Sequence, residues 1–533
     1  MQVLTPHAFA HRLTTSSFSD GVTRTMRPGV DGTISVNLVD LTAQERSLAR
    51  AALAEITTMT GLTFSFTSGT AKITYLNDGT GANTMTSATG TTIGSATVRI
   101  SSGRVDTGDG IGSYAFRTYM HETLHALGLG HPQDYGTVRD FSQSGIANDS
   151  WQMSLMSYFD QAENTWVNAT KAYNLTPMIA DFIALRSMYG GPSTVHAGAT
   201  TYGVGSTAGG ALDHAASSGA HGTFLIVDHA GVDHVNFVGF AANQRIDLAP
   251  GAISNVMGAI GNMQIAPDTL IEDATGGASA DIILGNAAPN RLAGSGGADA
   301  LYGRGGNDAL DGGEGNDRLF GDDGDDLLTG GAGNDSLYGG VGNDRLRVTS
   351  GANILDGGSG NDAMTGGTGN DRIIGALGSD TLLANAGNDS LLGGDGGDRL
   401  YGLDGADQLR GGAGHDILIG GAGDDWLYGD LGNDDLAAQG GTDVLNGGAG
   451  SDMLRGGAGM DRFVFVEGLD TIRGYDDAVD LIDLRGIAGL DSWAELRGHL
   501  FHAGNHVEFR MNDQIMRIEW TTIADMDSGD FLW

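Results

Sequence analysis

A nine-residue period dictates what the second half of this 533-residue chain can fold into. From residue 299 to residue 461, a step of nine lands on Asp at every position but one, Asn353. Two residues before each step stands Gly, and two residues after it stands Leu, Ile, Met or Phe. A disordered Gly/Asp linker would not hold three residue types in fixed phase over that distance. In the unit G-G-x-G-x-D-x-U-x the glycines allow turns at positive φ, the Asp places a carboxylate in the turn, and the last three residues form a minimal strand with one apolar side chain facing inward. One unit cannot bury a core, but two per coil, stacked, give two parallel sheets with Asp-bearing turns along both edges.

Stacked carboxylates repel, and the chain as a whole carries Lys+Arg 28 against Asp+Glu 66, a net charge of -38. Such a surface repels phosphates, so neither nucleic acid nor an anionic membrane is expected as a partner. A hard cation is needed, and calcium, taking six to eight oxygens at about 2.3 to 2.6 Å, suits the turns. The expected calcium ligands are Asp299, Asp308, Asp317, Asp326, Asp335, Asp344, Asp362, Asp371, Asp380, Asp389, Asp398, Asp407, Asp416, Asp425, Asp434, Asp443 and Asp452. Coordination is expected to be weakest where the pattern breaks, at Asn353, Ala384-Asn385 and Ala438-Gln439. With no Cys, the chain offers no disulfide, thiol nucleophile or thiolate metal site. No run of about 18 apolar residues suggests a membrane span, and the N-terminus does not read as an ordinary cleaved signal peptide.

The first third reads as an α/β domain. Helices are expected over Leu41 to Thr60, Tyr114 to Leu127 and Pro177 to Tyr189, with short strands at 62–67, 71–76 and 96–101. Within the second helix begins HETLHALGLGH, residues 121–131. His121 and His125 leave one helix face a turn apart, Gly128 lets the chain swing back, and His131 returns to the same place. Three neutral imidazoles suit one Zn²⁺ with an open position for water, and Glu122 beside them suits a general base. The extended motif would arise by chance about three times in 100,000 such chains, so a helix with unrelated histidines is the weaker reading.

The array resembles the calcium-binding nonapeptide β-roll of RTX exoproteins. The histidine motif resembles that of the metzincin zinc peptidases, and Pro132 after the third His resembles the serralysin branch, although Gln133 stands where that branch usually has Gly and the array here is longer. SLMSYF, residues 154–159, is similar to the branch's Met-turn. The resemblance implies Met156 as an apolar floor under the zinc, and Tyr158 as a further ligand or transition-state donor. TPMIADFIALRSMYGG, TYGVGSTAG, FAANQRIDLAPGAISNV and DRFVFVEGLDTIRGYDDAVDLIDL resemble the helix closing the catalytic domain, the connecting region and the cap of the roll. The end, DMDSGDFLW, resembles the uncleaved signal read by type I secretion machinery.

The expected architecture is therefore a multidomain α/β (α+β) metzincin-type zinc protease followed by an all-β parallel roll. Its divisions are a possible propeptide at 1–16, the protease domain at 17–190, a β connecting region at 191–280, the roll at 281–463 and the cap with its secretion signal at 464–533. The implied function is a secreted, extracellular, monomeric zinc endopeptidase stabilised by several calcium ions, acting on extended polypeptides aligned along an edge strand, for which ATVRIS (96–101) is the expected candidate. The second reading is a calcium-dependent adhesin or surface-layer protein whose peptidase domain is auxiliary or silent.

Overall fold

The computed structural model describes residues 4–16, 20–78, 81–101, 110–111, 113–132, 153–157, 173–174, 176–190, 196, 198–209, 222–487, 489–490, 492–511, 514–519, 521–524 and 526–532. The chain forms two compact units, residues 1–282 and 283–533.

Unit 1 opens with helix α1 (Pro6–Thr15), where Thr5 Oγ1 accepts the Ala8 N–H at 3.2 Å and Pro6 occupies the first turn, which needs no donor. Strands β1 (Thr25–Met26) and β2 (Thr33–Asn37) precede helix α2 (Ala43–Thr60). A reciprocal cap starts α2, with Glu45 N–H donating to Thr42 Oγ1 and Thr42 N–H to Glu45 Oε2, and Gly61 at φ 72° ends it. Strands β3 (Thr63–Phe66), β4 (Ile73–Leu76), β5 (Ala82–Thr89) and β6 (Thr92–Ile100) follow, then helices α3 (Tyr114–Ala126) and α4 (Ile179–Tyr189). The sheet runs β5-β6-β4-β2-β3, with β1 pairing the first residues of β6. All of its pairs are parallel except the β5–β6 hairpin, which turns at Gly90 (φ 59°).

That hairpin corrects one expectation. ATVRIS lies in β6, hydrogen-bonded on one side to β4 and on the other to β5, and so has no free edge. Among the described residues, β5 pairs only with β6 and is the edge strand.

Helix α1 packs on α4 with Phe9 and Leu13 fully buried, so the segment expected as a propeptide contributes to the core of unit 1. Between α4 and residue 282 come short strands including Thr201–Gly203, Gly222–Ile226, His234–Asn236 and Met263–Ile265. Leu225, Val227 and Ala266 from this region join Met59, Ile179 and Phe182 in one apolar cluster.

Unit 2 is the roll. Alternate strands belong to opposite sheets, and each pairs in parallel with the strand 18 residues on, as in Leu310↔Leu328 of one sheet and Leu319↔Leu337 of the other. Every ninth residue from Leu292 to Phe463 is buried between the sheets. Most strands run six or seven residues, as in Arg318–Asp323, rather than the expected three, because pairing continues through the glycine pair, for example Gly340↔Gly358. The second glycine position sits at positive φ even where another residue occupies it, as at Asn385 (80°) and Gln439 (79°). The cap adds the antiparallel strands Leu500–His502, His506–Met511 and Gln514–Glu519, and Phe531–Leu532 pairs with Leu481–Asp483.

Replacing Phe9 by Ala should destabilise unit 1 by about 3 to 5 kcal/mol, the cost of emptying a buried aromatic site. Denaturant unfolding followed on the full chain checks this, and an unchanged midpoint would show that α1 is dispensable to the core.

Candidate functional site

Helix α3 carries the first two histidines. Ser113 Oγ caps it by accepting the Phe116 N–H at 3.1 Å. After Ala126 the helix stops at Leu127, and Gly128 takes φ 103°, where a Cβ would also run into the Arg24 carbonyl. The chain turns back there. Gly130 N–H donates to the Leu13 carbonyl at 2.8 Å, and Ser16 Oγ donates to the His131 carbonyl, so the backbone flanking His131 is tied to the end of α1.

The three rings meet. His125 Nε2 lies 3.2 Å from His131 Nε2, which lies 3.4 Å from His121 Nε2. The opposite ring atoms are committed to carbonyls: His121 Nδ1 lies 3.0 Å from the Leu155 oxygen and His125 Nδ1 lies 2.8 Å from the Leu129 oxygen. A carbonyl can only accept, so both Nδ1 atoms carry the proton and both Nε2 lone pairs face inward. Burial, first of all, holds His121 well below the usual imidazole range, and it lowers His125 to about 4 and His131 to about 3. Neutral rings with converging lone pairs fit a metal. Tetrahedral Zn–N bonds of about 2.0 to 2.1 Å would set nitrogen atoms about 3.3 to 3.4 Å apart, close to both separations found here.

Glu122 is buried, and its Oε2 accepts a hydrogen bond from Thr84 Oγ1 of β5 at 2.7 Å. The edge strand is thereby joined to the carboxylate. Met156 is fully buried, its N–H donating to Ser154 Oγ at 2.9 Å. Tyr158 and Gln133 lie outside the described residues.

Three residues that the sequence did not single out hold this constellation. Buried Asp181, at the start of α4, accepts from Ser154 Oγ (2.6 Å), Leu155 N–H (2.7 Å) and Met178 N–H (2.9 Å). Arg117 donates to the carbonyls of Leu155 (3.1 Å) and Ser157 (3.0 Å). Leu155, pinned from both sides, presents its carbonyl to His121. Thr84 is the third of these residues. Apart from the local cap between Asp181 and Met178, each reaches a partner distant in sequence, and no local spacing signals those contacts.

In unit 2 the array carboxylates are buried along the turns. From Asp308 to Asp461 each Oδ1 accepts a backbone N–H from the preceding coil, as in Asp308 N–H to Asp326 Oδ1 at 2.7 Å and Asp389 N–H to Asp407 Oδ1 at 2.7 Å. Over the same stretch the Oδ2 atoms are buried and accept no hydrogen bond. Desolvation is the largest cause that pushes Asp308, Asp344, Asp425 and Asp434 up to about 7. Rows of buried carboxylate oxygens fit calcium, which would supply the missing positive charge.

The fold thus carries two kinds of site, a three-histidine cluster in unit 1 and rows of turn carboxylates in the parallel β-roll of unit 2. Residues 192–365 match the peptidase M10 serralysin C-terminal family, and residues 374–409, 401–436 and 437–472 match the RTX calcium-binding nonapeptide repeat. Metalloprotease AprA of Pseudomonas entomophila is 38% identical over 197 residues, 35% of this chain and 40% of that protein. Serralysin B of Dickeya chrysanthemi is 36% identical over 32% of this chain and 36% of its own length, and serralysin of Proteus mirabilis is 38% identical over 33% and 37%. The chain thus spans about two-fifths of the length of the curated relatives it matches.

Asp181 gives a testable pH dependence. Burial raises it from 3.8 to about 6, so the folded state holds its proton more tightly than the unfolded chain does, and the associated stability, full below about pH 4, is lost as pH rises through 6. Asp181→Asn, which cannot ionise, should therefore gain stability relative to the parent between pH 4 and 6 in denaturant titrations. Asp181→Ala should cost about 1 to 3 kcal/mol or more through unsatisfied buried donors, and should speed metal loss to a chelator.

Proposed function

We propose that the chain is a secreted zinc endopeptidase that cleaves extended polypeptides and is stabilised by calcium. The observation that carries this reading is the convergence of three neutral imidazoles at near-tetrahedral spacing with the Glu122 carboxylate beside them. His121, His125 and His131 would hold the zinc, with Met156 as its apolar floor and Tyr158 as the additional ligand or donor. Bound there, zinc would polarise the scissile carbonyl and acidify a water molecule. Glu122 takes the proton of the attacking water and delivers it to the leaving amine, and Thr84 orients its carboxylate through the 2.7 Å hydrogen bond. A substrate strand adds alongside β5, whose backbone lies at the sheet edge, and its main-chain hydrogen bonds hold the peptide extended.

The protease domain is assigned to 17–190, the connecting region to 191–280, the roll to 281–463 and the cap to 464–533. The carboxylate rows of the roll would take several calcium ions. In a compartment poor in calcium, repulsion among them favours an extended chain suited to type I export, and abundant calcium outside folds it by mass action. The M10 C-terminal and RTX matches, together with relatives named serralysin and metalloprotease, support this assignment.

Glu122→Ala should retain zinc by metal analysis while cleavage of a denatured protein falls by about 10² to 10⁴. Turnover close to that of the parent would overturn the role given to Glu122. A zinc chelator should abolish cleavage, and fragments that persist in its presence would remove the zinc assignment altogether.

A further inference from the structure

The array breaks once at its Asp position, at Asn353, in the turn where Val348-Thr349 also replaces the glycine pair. The paired strand there stops at Arg347, Val348 is buried, and the Thr349 hydroxyl donates to the Gly331 carbonyl. Asn353 lies in the same edge row as Asp335 and Asp371, 18 residues on either side.

Its amide divides its bonds as the carboxylates do on one side only. Asn353 Oδ1 accepts the Asp335 N–H at 2.8 Å, the task performed by Oδ1 of each Asp in the rows. Where those Asp residues present a buried Oδ2 without a hydrogen-bond partner, Asn353 presents Nδ2, which donates to Asp371 Oδ1 at 2.8 Å and to the Gly351 carbonyl at 3.2 Å. The Ser350 carbonyl lies 3.5 Å away. The orientation is fixed, because a flipped amide would turn its NH2 group against the Asp335 N–H and set donor against donor. A cation entering this turn would meet two N–H bonds where its neighbours offer an oxygen.

Resting on the reading that the Oδ2 rows bind calcium, we propose that the Asn353 turn takes no calcium and that its side-chain amide stands in for the ion. The amide bonds to the Gly351 carbonyl of its own turn and the Asp371 carboxylate of the next, holding the coils in register by hydrogen bonds in place of a cation. This edge of the roll is thereby divided into two calcium runs, one ending at Asp335 and one beginning at Asp371. The opposite edge, through Asp344 and Asp362, is uninterrupted.

Calcium bound per full-length chain is counted by equilibrium dialysis with elemental analysis, after circular dichroism has shown that each variant is folded in calcium. Asn353→Asp, which restores the oxygen, should bind one more ion than the parent, and Asn353→Ala should bind the same number. Asp407→Asn, in the same edge row, should bind one fewer. An unchanged count in Asn353→Asp, or loss of an ion in Asn353→Ala, would overturn the proposal while the loss in Asp407→Asn leaves the calcium reading standing. A parent chain that binds no calcium would sink both. Should Asn353→Asp fail to fold, the Asn353→Ala count decides.

Discussion

A buried side chain with two coordinating atoms can aim one of them at a cation only when the protein has fixed the other. Both halves of this molecule are built on that constraint. In unit 1, carbonyls of Leu155 and Leu129 take the Nδ1 protons of His121 and His125, which leaves the Nε2 lone pairs facing His131. In unit 2, backbone N–H groups take Oδ1 of each array carboxylate from Asp308 to Asp461, which leaves Oδ2 facing the turn. A protein donor or acceptor fixes orientation in advance, so the ion meets ligands already in place.

The cost of this preorganisation differs between the two halves. Neutral imidazoles can be buried together, because desolvation merely keeps them unprotonated. Carboxylates cannot be treated this way, and the raised affinity of Asp308 or Asp434 for a proton expresses the same demand for positive charge that calcium would meet. The net charge of -38 is therefore a design with a missing counter-charge, and the roll is the part whose stability should follow cation supply.

Much of this was legible in the sequence where the determining geometry is local. A helix sets His121 and His125 a turn apart whatever surrounds it, and a period of nine sets the inward Leu and the turn Asp in phase. The strands proved longer than the three residues expected, because ladder hydrogen bonds run on through glycines whose side-chain pattern says nothing about pairing. The edge strand was misplaced for a similar reason. Both arms of the β5–β6 hairpin have strand-like residues, and only the pairing of β6 with β4 decides which arm lies inside the sheet. Thr84, Arg117 and Asp181 were unreadable because each meets its partner through a tertiary contact, 38 residues apart for Thr84 and Glu122.

Helix α1 shows how far such contacts reach. Its Leu13 carbonyl accepts the Gly130 N–H and the Ser16 hydroxyl donates to the His131 carbonyl, so the N-terminal segment braces the one histidine of the three that no helix holds. His121 and His125 are positioned by α3 itself, whereas His131 follows Gly128, at the residue type least able to restrict its own backbone. A segment that buries Phe9 against α4 and bonds to the Gly130 N–H and the His131 carbonyl supplies the rigidity that the glycines give up. The third imidazole thus depends on packing at the far end of the chain's first helix, and the precision of the cluster is a property of the whole of unit 1.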